Sequence, residues 1–295
     1  MLKMSEYSYI AGMLSVALSI AFYVIAYASV RVASRRTAVA GGAATMDAGT
    51  TMQVVAGPSI FASYGTLVAW LAFIFLVASM IFRAIVTGHG PFSNMYEFSI
   101  AFATGVIGVY LFFERKYHQQ ILGLIVLPIA LLMLLYAWTI PATADPLVPA
   151  LQNNLLLSVH VAVAIVAYGT FAVSFAAAVL YLLQAYGVPR LPKAELLDEI
   201  GYRAVVIGFP FMTLVIVLGA VWANVAWGRY WGWDPKETAS LVTWLIYGAY
   251  LHARVVRGWR GNRAAWLLVI GFGATLFTYF GNLFFGGLHS YSGLG

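Results

Sequence analysis

The sequence contains no cysteine among its 295 residues. The chain therefore forms no disulfide, offers no thiolate as a metal ligand and carries no thiol for redox chemistry. Charged residues are also scarce, at 9% of the chain, whereas soluble domains average about 25%. A chain that is 62% hydrophobic and this poor in charge is typical of a membrane protein. Its net charge of +6 then reports on membrane topology rather than on nucleic-acid binding.

Eight segments are long and apolar enough to cross a bilayer, which takes about 20 residues in a helix. They are 8–30, 62–86, 96–113, 120–139, 155–186, 205–224, 239–256 and 265–285. We therefore predict an all-α polytopic membrane protein, a bundle of about eight transmembrane helices. The first apolar run is too long for the core of a cleaved signal peptide, so we interpret it as a retained span. Residues 1–61 form the first helix and a flexible cytoplasmic loop, and residues 62–295 form the second unit.

The positive charges are distributed unevenly between the two predicted faces. Twelve of the 16 Lys and Arg residues lie in the odd-numbered connections, and three lie in the even-numbered connections and the termini. The sixteenth, Arg83, is near the outer end of the second span. Because basic residues are retained on the cytoplasmic side, both termini and the connection between spans six and seven are predicted to face outward.

That connection contains the run WGRYWGWDPKE, residues 227–237. Trp227, Trp231 and Trp233 place three indoles within seven residues, which is more than an interfacial aromatic belt requires. Asp234 and Pro235 are expected to turn the chain into the next helix, with Glu237 as a first-turn carboxylate favoured by the helix dipole. The loop, residues 225–238, is therefore a candidate binding surface.

His160 and His289 are both predicted to lie on the same face as this loop. His160 is at the start of span five, and His289 follows span eight. Two imidazoles and several indoles suit haem, whose iron accepts two axial ligands and whose ring offers flat faces for stacking. Arg229 and Arg83 are candidate donors to its propionates.

His252 lies inside span seven, roughly 20 Å below the outer face at 1.5 Å per residue. It is too deep to share an iron with the outer histidines. An ionisable side chain inside a span favours a function, here a second metal position whose other ligand comes from another subunit. A histidine near a helix end is, however, commonly an interfacial hydrogen-bonding residue. That alternative applies to His118 and, on position alone, to His252.

Four segments together resemble a known family. The tryptophan-rich stretch resembles the WWD signature of haem-handling membrane proteins. The other three resemble the CcsA/ResC family of system II cytochrome c biogenesis, called CcsB in some lineages; they are TGHGPFSNMYEFS (87–99), PALQNNLLLSVHVAVAIVAYGTF (149–171) and YFGNLFFGGLHSYSG (279–293). The resemblance covers residues 62–293 and departs from the signature at Ala239, where the family has a tryptophan. Within the first of these segments, His89, Asn94 and Glu97 are expected to order their own loop.

The resemblance implies that the second unit is a haem-handling domain in the bacterial plasma membrane. Haem b would be its transported substrate, presented on the outer face to an apocytochrome c with a Cys-x-x-Cys-His motif. His160 and His289 match the outward histidines of the family, and His252 matches the embedded one. The chain would work with a ResB/CcsB-type membrane subunit as the haem-binding part of a cytochrome c synthase, or haem lyase. Whether catalysis belongs to this chain or to the complex stays open.

Since the chain has no cysteine, a separate thiol-reducing protein would keep the acceptor reduced. Three other functions remain as alternatives. A secondary transporter of another substrate would carry mid-span charges, which are nearly absent here. A cytochrome b-like electron-transfer protein would pair histidines inside its spans. A system I relative that loads a haem chaperone shares the WWD signature but not the other three segments.

Overall fold

The computed structural model describes residues 1–40, 60–143, 154–188, 191–285 and 287, with side chains at 29–40, 154 and 282–284 outside the description. Within these ranges the chain forms eight α-helices, a short 3₁₀ turn and no strand. The helices are α1 Leu2–Ala40, α2 Ile60–Thr87, α3 Met95–Tyr117, α4 Gly123–Trp138, α5 Asn154–Ala185, α6 Ala194–Trp227, α7 Pro235–Val256 and α8 Asn262–Phe284. The predicted all-α bundle of about eight helices is confirmed.

Two helices extend well beyond the predicted spans. α6 begins at Ala194 rather than at residue 205. Its first turns are helical but polar, so they are not part of the apolar run from which the span was predicted. Asp198 in these turns pairs with Arg254 of α7, with Oδ2 and Nη2 2.5 Å apart. α1 continues to Ala40. The predicted flexible loop lies for the most part at residues 41–59, outside the described ranges.

Seven of the described helices are long and apolar enough to cross a membrane, and α7 falls short of that measure. Lys236, Glu237 and Arg254 reduce the apolar character of α7, which packs against α6 and α8. Large apolar side chains elsewhere point outward; Leu67 and Ile74 of α2 are 56% and 55% exposed. Outward apolar faces on long helices are what lipid contact requires. The chain is an integral membrane protein.

α5 is the helix around which the rest of the site is arranged, because it packs against α3, α6 and α8. Glycine permits the closest approaches. A Cβ at Gly169 would lie 3.2 Å from the backbone oxygen of Gly105 on α3, and one at Gly208 of α6 would lie 2.2 Å from Thr170 Oγ1. Small residues at such crossings let helix backbones approach within a membrane. The first half of α5 is thus held between its neighbours.

Candidate functional site

A cavity opens at the end of the bundle where α3, α5 and α7 begin and where α6 and α8 end. Its volume is about 110 Å³. Its wall is largely apolar and aromatic; it includes Met95, Phe98, Phe102, Leu157, His160, Val161, Ala164, Tyr168, Val215, Gly219, Trp222, Trp231, Lys236, Glu237, Ser240, Thr278 and Tyr279. Ligand-binding pockets in proteins commonly have linings of this kind.

His160 reaches the cavity because of its place on α5. It shares a helical stripe with Leu157, Ala164 and Tyr168, which also line the wall. Across from it stands Gly219 of α6, where an added Cβ would lie 3.1 Å from His160 Cε1. Gly219 therefore makes room for the half-buried imidazole ring. This glycine has no signal in the sequence, since its meaning depends on how α5 and α6 pack.

The indoles form two perpendicular pairs. Trp231 lines the cavity and meets Trp233 at 5.7 Å between ring centroids and 90° between planes. Trp222, on the α6 wall, is 4% exposed and meets Trp227 at 4.8 Å and 73°. Trp233 is 69% exposed, so its face is open to a partner or ligand outside the cavity. Sequence reasoning missed Trp222, which lies inside an apolar run that resembles any other span.

Carboxylates fix the loop onto the start of α7. Asp234 Oδ1 accepts a hydrogen bond from the Lys236 backbone N–H at 2.9 Å, and Asp234 and Glu237 complete a capping box. Glu237 Oε2 accepts from the backbone N–H groups of Gly232 and Asp234 at 2.8 and 3.1 Å. The structural roles predicted for Asp234 and Glu237 are confirmed. The hydrogen bonds of Glu237 lie on either side of Trp233, whose φ is 55°. This is a left-handed conformation that a bulky residue rarely adopts.

The segment after α8 passes beside the same loop. A Cβ at Gly287 would lie 2.3 Å from Asp234 Oδ2 and 2.9 Å from Pro235 Cδ. His289 itself lies outside the described residues. The described part of the C-terminal segment therefore approaches the loop near the cavity that His160 lines.

Neither predicted arginine belongs to the cavity wall. Arg229 is exposed and folds over Gly232, where a Cβ would lie 2.8 Å from its Nε. Arg83 is 2% exposed; its guanidinium donates to Glu97 and to two backbone oxygens, those of Ala142 and Thr143. Their contact with a ligand carboxylate stays a prediction.

The structural roles predicted for residues 87–99 are confirmed. The Asn94 side chain caps α3 by accepting from the Glu97 N–H at 3.0 Å, and Glu97 accepts from the Ser93 N–H and hydroxyl. The His89 ring bonds the adjacent Gly90 carbonyl through Nδ1 at 2.8 Å. These contacts order the turn between α2 and α3, beside the cavity.

His252 lies outside the cavity, on the exposed face of α7. Val242, Leu245 and Val256 share this face and are 46%, 52% and 66% exposed. His252 follows Pro235, the first residue of α7, by about 26 Å along the helix axis. Its predicted depth below the outer face stays a prediction. Its imidazole is exposed on the surface of the chain. A second ligand to a metal bound there would therefore come from another subunit or from a molecule in the lipid.

Lys236 and Glu237 are cavity residues that sequence reasoning did not select as ligand contacts. Lys236 stands in the first turn of α7, ahead of its apolar part. Burial lowers its pKa to about 8, against the attraction of Asp234. In the sequence, Lys236 follows the clustered indoles closely. That pattern is equally typical of a solvated surface charge.

Comparison with known proteins shows the family of the chain. The profile of the family described as cytochrome c assembly protein matches residues 92–289. The cytochrome c biogenesis protein CcsA of Guillardia theta is 39% identical over 241 residues, covering 72% of this chain and 80% of that protein. The CcsA of Synechococcus elongatus is 35% identical over 264 residues, covering 71% and 81%.

A solved structure shares the fold. The cytochrome c haem lyase CcmF superposes with a TM-score of 0.67 at 19% identity over 95% of this chain. This chain spans 46% of the length of that lyase, so the likeness is one of fold alone. The profile match covers about two thirds of the chain, and relatives at 35–39% identity cover most of it. The chain therefore belongs to the cytochrome c assembly protein family.

Proposed function

We propose that this protein acts in cytochrome c maturation by presenting haem b to apocytochrome c at the outer face of the bacterial plasma membrane. Relatives named as cytochrome c biogenesis proteins and the fold shared with a haem lyase support this role. One observation carries the proposal: a single cavity joins His160 and Trp231, and Gly287 brings the chain that leads to His289 beside its loop.

In this proposal His160 and His289 supply the two axial imidazoles of the haem iron. Ligation by two histidines saturates the iron and limits its reaction with oxygen during transit. The indoles of Trp231 and Trp222 offer faces and edges to the macrocycle, and Gly219 keeps the His160 ring in place. Trp233, an exposed residue of the loop, is available for contact with the incoming acceptor.

Attachment adds each acceptor thiol across a haem vinyl group, so that S–C and C–H bonds form and no atom leaves. The acceptor's own histidine displaces one imidazole of this chain. Since the sequence has no cysteine, the acceptor thiols are kept reduced by a separate thiol-reducing protein. The chain's contribution is to hold the iron, orient the ring and leave the vinyl edge accessible.

His252 is proposed to receive haem before it reaches the outer cavity. Its outward position on α7 suits a site shared with a ResB/CcsB-type subunit, which would provide the second axial ligand. Val242 and Leu245 on the same exposed face would pack against that subunit. Haem would thus travel from an intermolecular site within the membrane to the cavity at its outer face.

Absorption spectroscopy of the detergent-purified complex, co-expressed with the ResB-type subunit, tests the outer site. We expect low-spin Soret and α bands in the native protein and their loss or displacement in His160→Ala and in His289→Ala. His118→Ala is the control, because His118 is exposed at the opposite end of α3. Unchanged bands in both cavity variants reject the outer-site assignment.

The same preparation tests the transfer from His252. His252→Ala should lower the amount of haem that reaches the outer site while leaving its bis-histidine spectrum unaltered in the fraction that is loaded. Equal loading of the variant and the native complex removes His252 from the route and leaves the outer-site assignment intact.

A further inference from the structure

We propose that Lys236 binds a carboxylate of the ligand, so that the cavity selects a flat ligand bearing free acid groups. This inference rests on the proposed haem-presenting function and deepens it. Lys236 is placed by the first turn of α7, and its side chain lines the cavity together with His160 and Trp231. Among the described residues of that wall it is the one Lys or Arg, and the others offer mainly aromatic and aliphatic surfaces.

The Lys236 ammonium takes part in none of the ion pairs found within the described part of the chain. The ion pairs found there are Arg83–Glu97, Arg203–Glu199 and Arg254–Asp198. Burial of a cation is costly, and here the attraction of Asp234 is smaller than that cost. An anionic ligand would offset the remainder. The same cost of burying the charge lowers the pKa of Lys236 to about 8.

The two carboxylates nearest in sequence serve the loop. Glu237 Oε2 accepts hydrogen bonds from the backbone N–H groups of Gly232 and Asp234. Asp234 Oδ1 accepts one from the backbone N–H of Lys236. Asp234, the residue that caps the start of α7, also attracts the Lys236 ammonium. The other titratable groups in the wall are His160 and Tyr168 of α5 and Tyr279 of α8, none of which is an anion near neutral pH.

The two arginines considered from the sequence do not line the cavity. The guanidinium of Arg83 is bonded to Glu97 and to the chain at Ala142 and Thr143. Arg229 lies over Gly232 on the exposed side of the loop. The geometry therefore leaves Lys236 as the cation that a ligand inside the cavity would meet.

A haem carries its two propionates on one edge and its vinyl groups on the other side of the ring. A propionate held by Lys236 would fix the rotation of the ring about the axis through its iron. The vinyl groups would then point away from the start of α7. Lys236 would in this way decide which edge is presented to the acceptor thiols, in addition to strengthening binding.

The test compares haem with its dimethyl ester, in which both propionates are methylated and uncharged. Each is titrated into the detergent-purified complex and binding is followed by the Soret band. The native complex should bind haem about 10- to 100-fold more tightly than the diester, as expected for a hydrogen bond between charged groups. Lys236→Met should bind both equally, and Lys236→Arg should retain most of the preference. Lys116→Met is the control, because Lys116 is exposed at the far end of α3.

The outcomes separate the two proposals. If the native complex gives no low-spin spectrum with either porphyrin, the proposed function fails. If it binds both porphyrins equally, or if Lys236→Met keeps the native preference, only the role of Lys236 is overturned. If Lys236→Met does not fold, equal binding of the two porphyrins by the native complex still overturns the role of Lys236.

Discussion

At the residue scale, the position of the His160 imidazole depends on a neighbour that has no side chain. Gly219 faces the ring so closely that a Cβ would lie 3.1 Å from Cε1. Gly219→Val would place two further methyl groups there and force the ring to turn. We expect weaker haem binding and a reduced low-spin fraction, measured by absorption spectroscopy of the complex.

Gly273→Val is the matched control for that variant. Gly273 is also a helical glycine, on α8, but no atom lies within 4 Å of the Cβ it would gain. Both changes alter helix propensity by the same amount, so any difference between them comes from His160. A native spectrum in Gly219→Val would show that the imidazole is not held where an axial ligand must be.

Lys236 gives haem binding a predictable pH dependence. Its pKa is lowered to about 8 in the free protein, and a bound carboxylate favours the protonated form. Binding therefore takes up a proton above pH 8, so affinity should be highest below that pH and should fall above it. Spectral titrations between pH 7 and 9 measure the slope.

In Lys236→Met this slope should be absent. Asp234, Glu237, His160, Tyr168 and Tyr279 remain in both proteins, so the difference between the two curves isolates the lysine. Parallel curves would mean that another group causes the pH dependence and that Lys236 does not meet the ligand.

The residues of the site were predictable from sequence where their chemistry is rare in a membrane chain. His160 and Trp231 stood out for that reason, and the structure places both in one cavity. Gly219 and Trp222 did not, because a glycine or tryptophan in an apolar run acquires its role only from the helix opposite. Lys236 was visible in the motif, but its burial follows from the fold of the loop.

At the element scale, one carboxylate holds the aromatic loop in shape. Glu237 Oε2 accepts two backbone hydrogen bonds, from Gly232 and Asp234, on either side of Trp233 with its left-handed backbone. Glu237→Ala leaves both N–H groups without that acceptor and should destabilise the protein by about 1–3 kcal/mol. Thermal unfolding and limited proteolysis between residues 228 and 234 measure the effect.

Glu199→Ala provides the comparison for the loop variant. Glu199 pairs with Arg203 one turn away, and both side chains are well exposed, at 42% and 55%. Exposed pairs of this kind contribute little to stability, so this change should leave the unfolding temperature and the proteolytic pattern nearly native. If Glu237→Ala behaves like Glu199→Ala, the loop owes its conformation to its aromatic contacts instead.

The helices were predictable as elements, but their ends were not. A search for apolar length detects the part of a helix that lies in lipid and stops where charges begin, as at the start of α6. The pairing of Asp198 with Arg254 shows why those turns are nonetheless helical, since the ion pair joins α6 to the end of α7. α7 itself is marked less by hydropathy than by its capping box.

At the scale of the whole molecule, the alternation of helices accounts for the site. In a bundle whose successive helices run in opposite directions, the starts of α3, α5 and α7 and the ends of α6 and α8 meet at one end. Residues 95 to 279, far apart in the sequence, can therefore line one cavity. The sequence contains this alternation, but which helices are neighbours is decided by packing such as that of Gly169 against Gly105.

The orientation of this bundle in the membrane is a prediction that the lack of cysteine makes easy to test. Twelve of the 16 basic residues lie in connections assigned to the cytoplasm, and the loop with Trp231 is assigned to the outside. Tyr230, in the loop, and Tyr186, after α5, are 60% and 72% exposed at opposite ends of the bundle. Single cysteines at these two positions would be the only thiols of the chain.

A membrane-impermeant maleimide added to intact spheroplasts should label Tyr230→Cys and leave Tyr186→Cys unlabelled until the membrane is opened. The native chain gives the background, since it has no thiol to react. The physical reason is the cost of moving clustered Lys and Arg across the bilayer, which fixes their side during insertion. The reverse pattern would place the cavity of His160 and Lys236 on the cytoplasmic side. Haem could then not be presented from it to an acceptor outside, and the proposed function would fail with the topology.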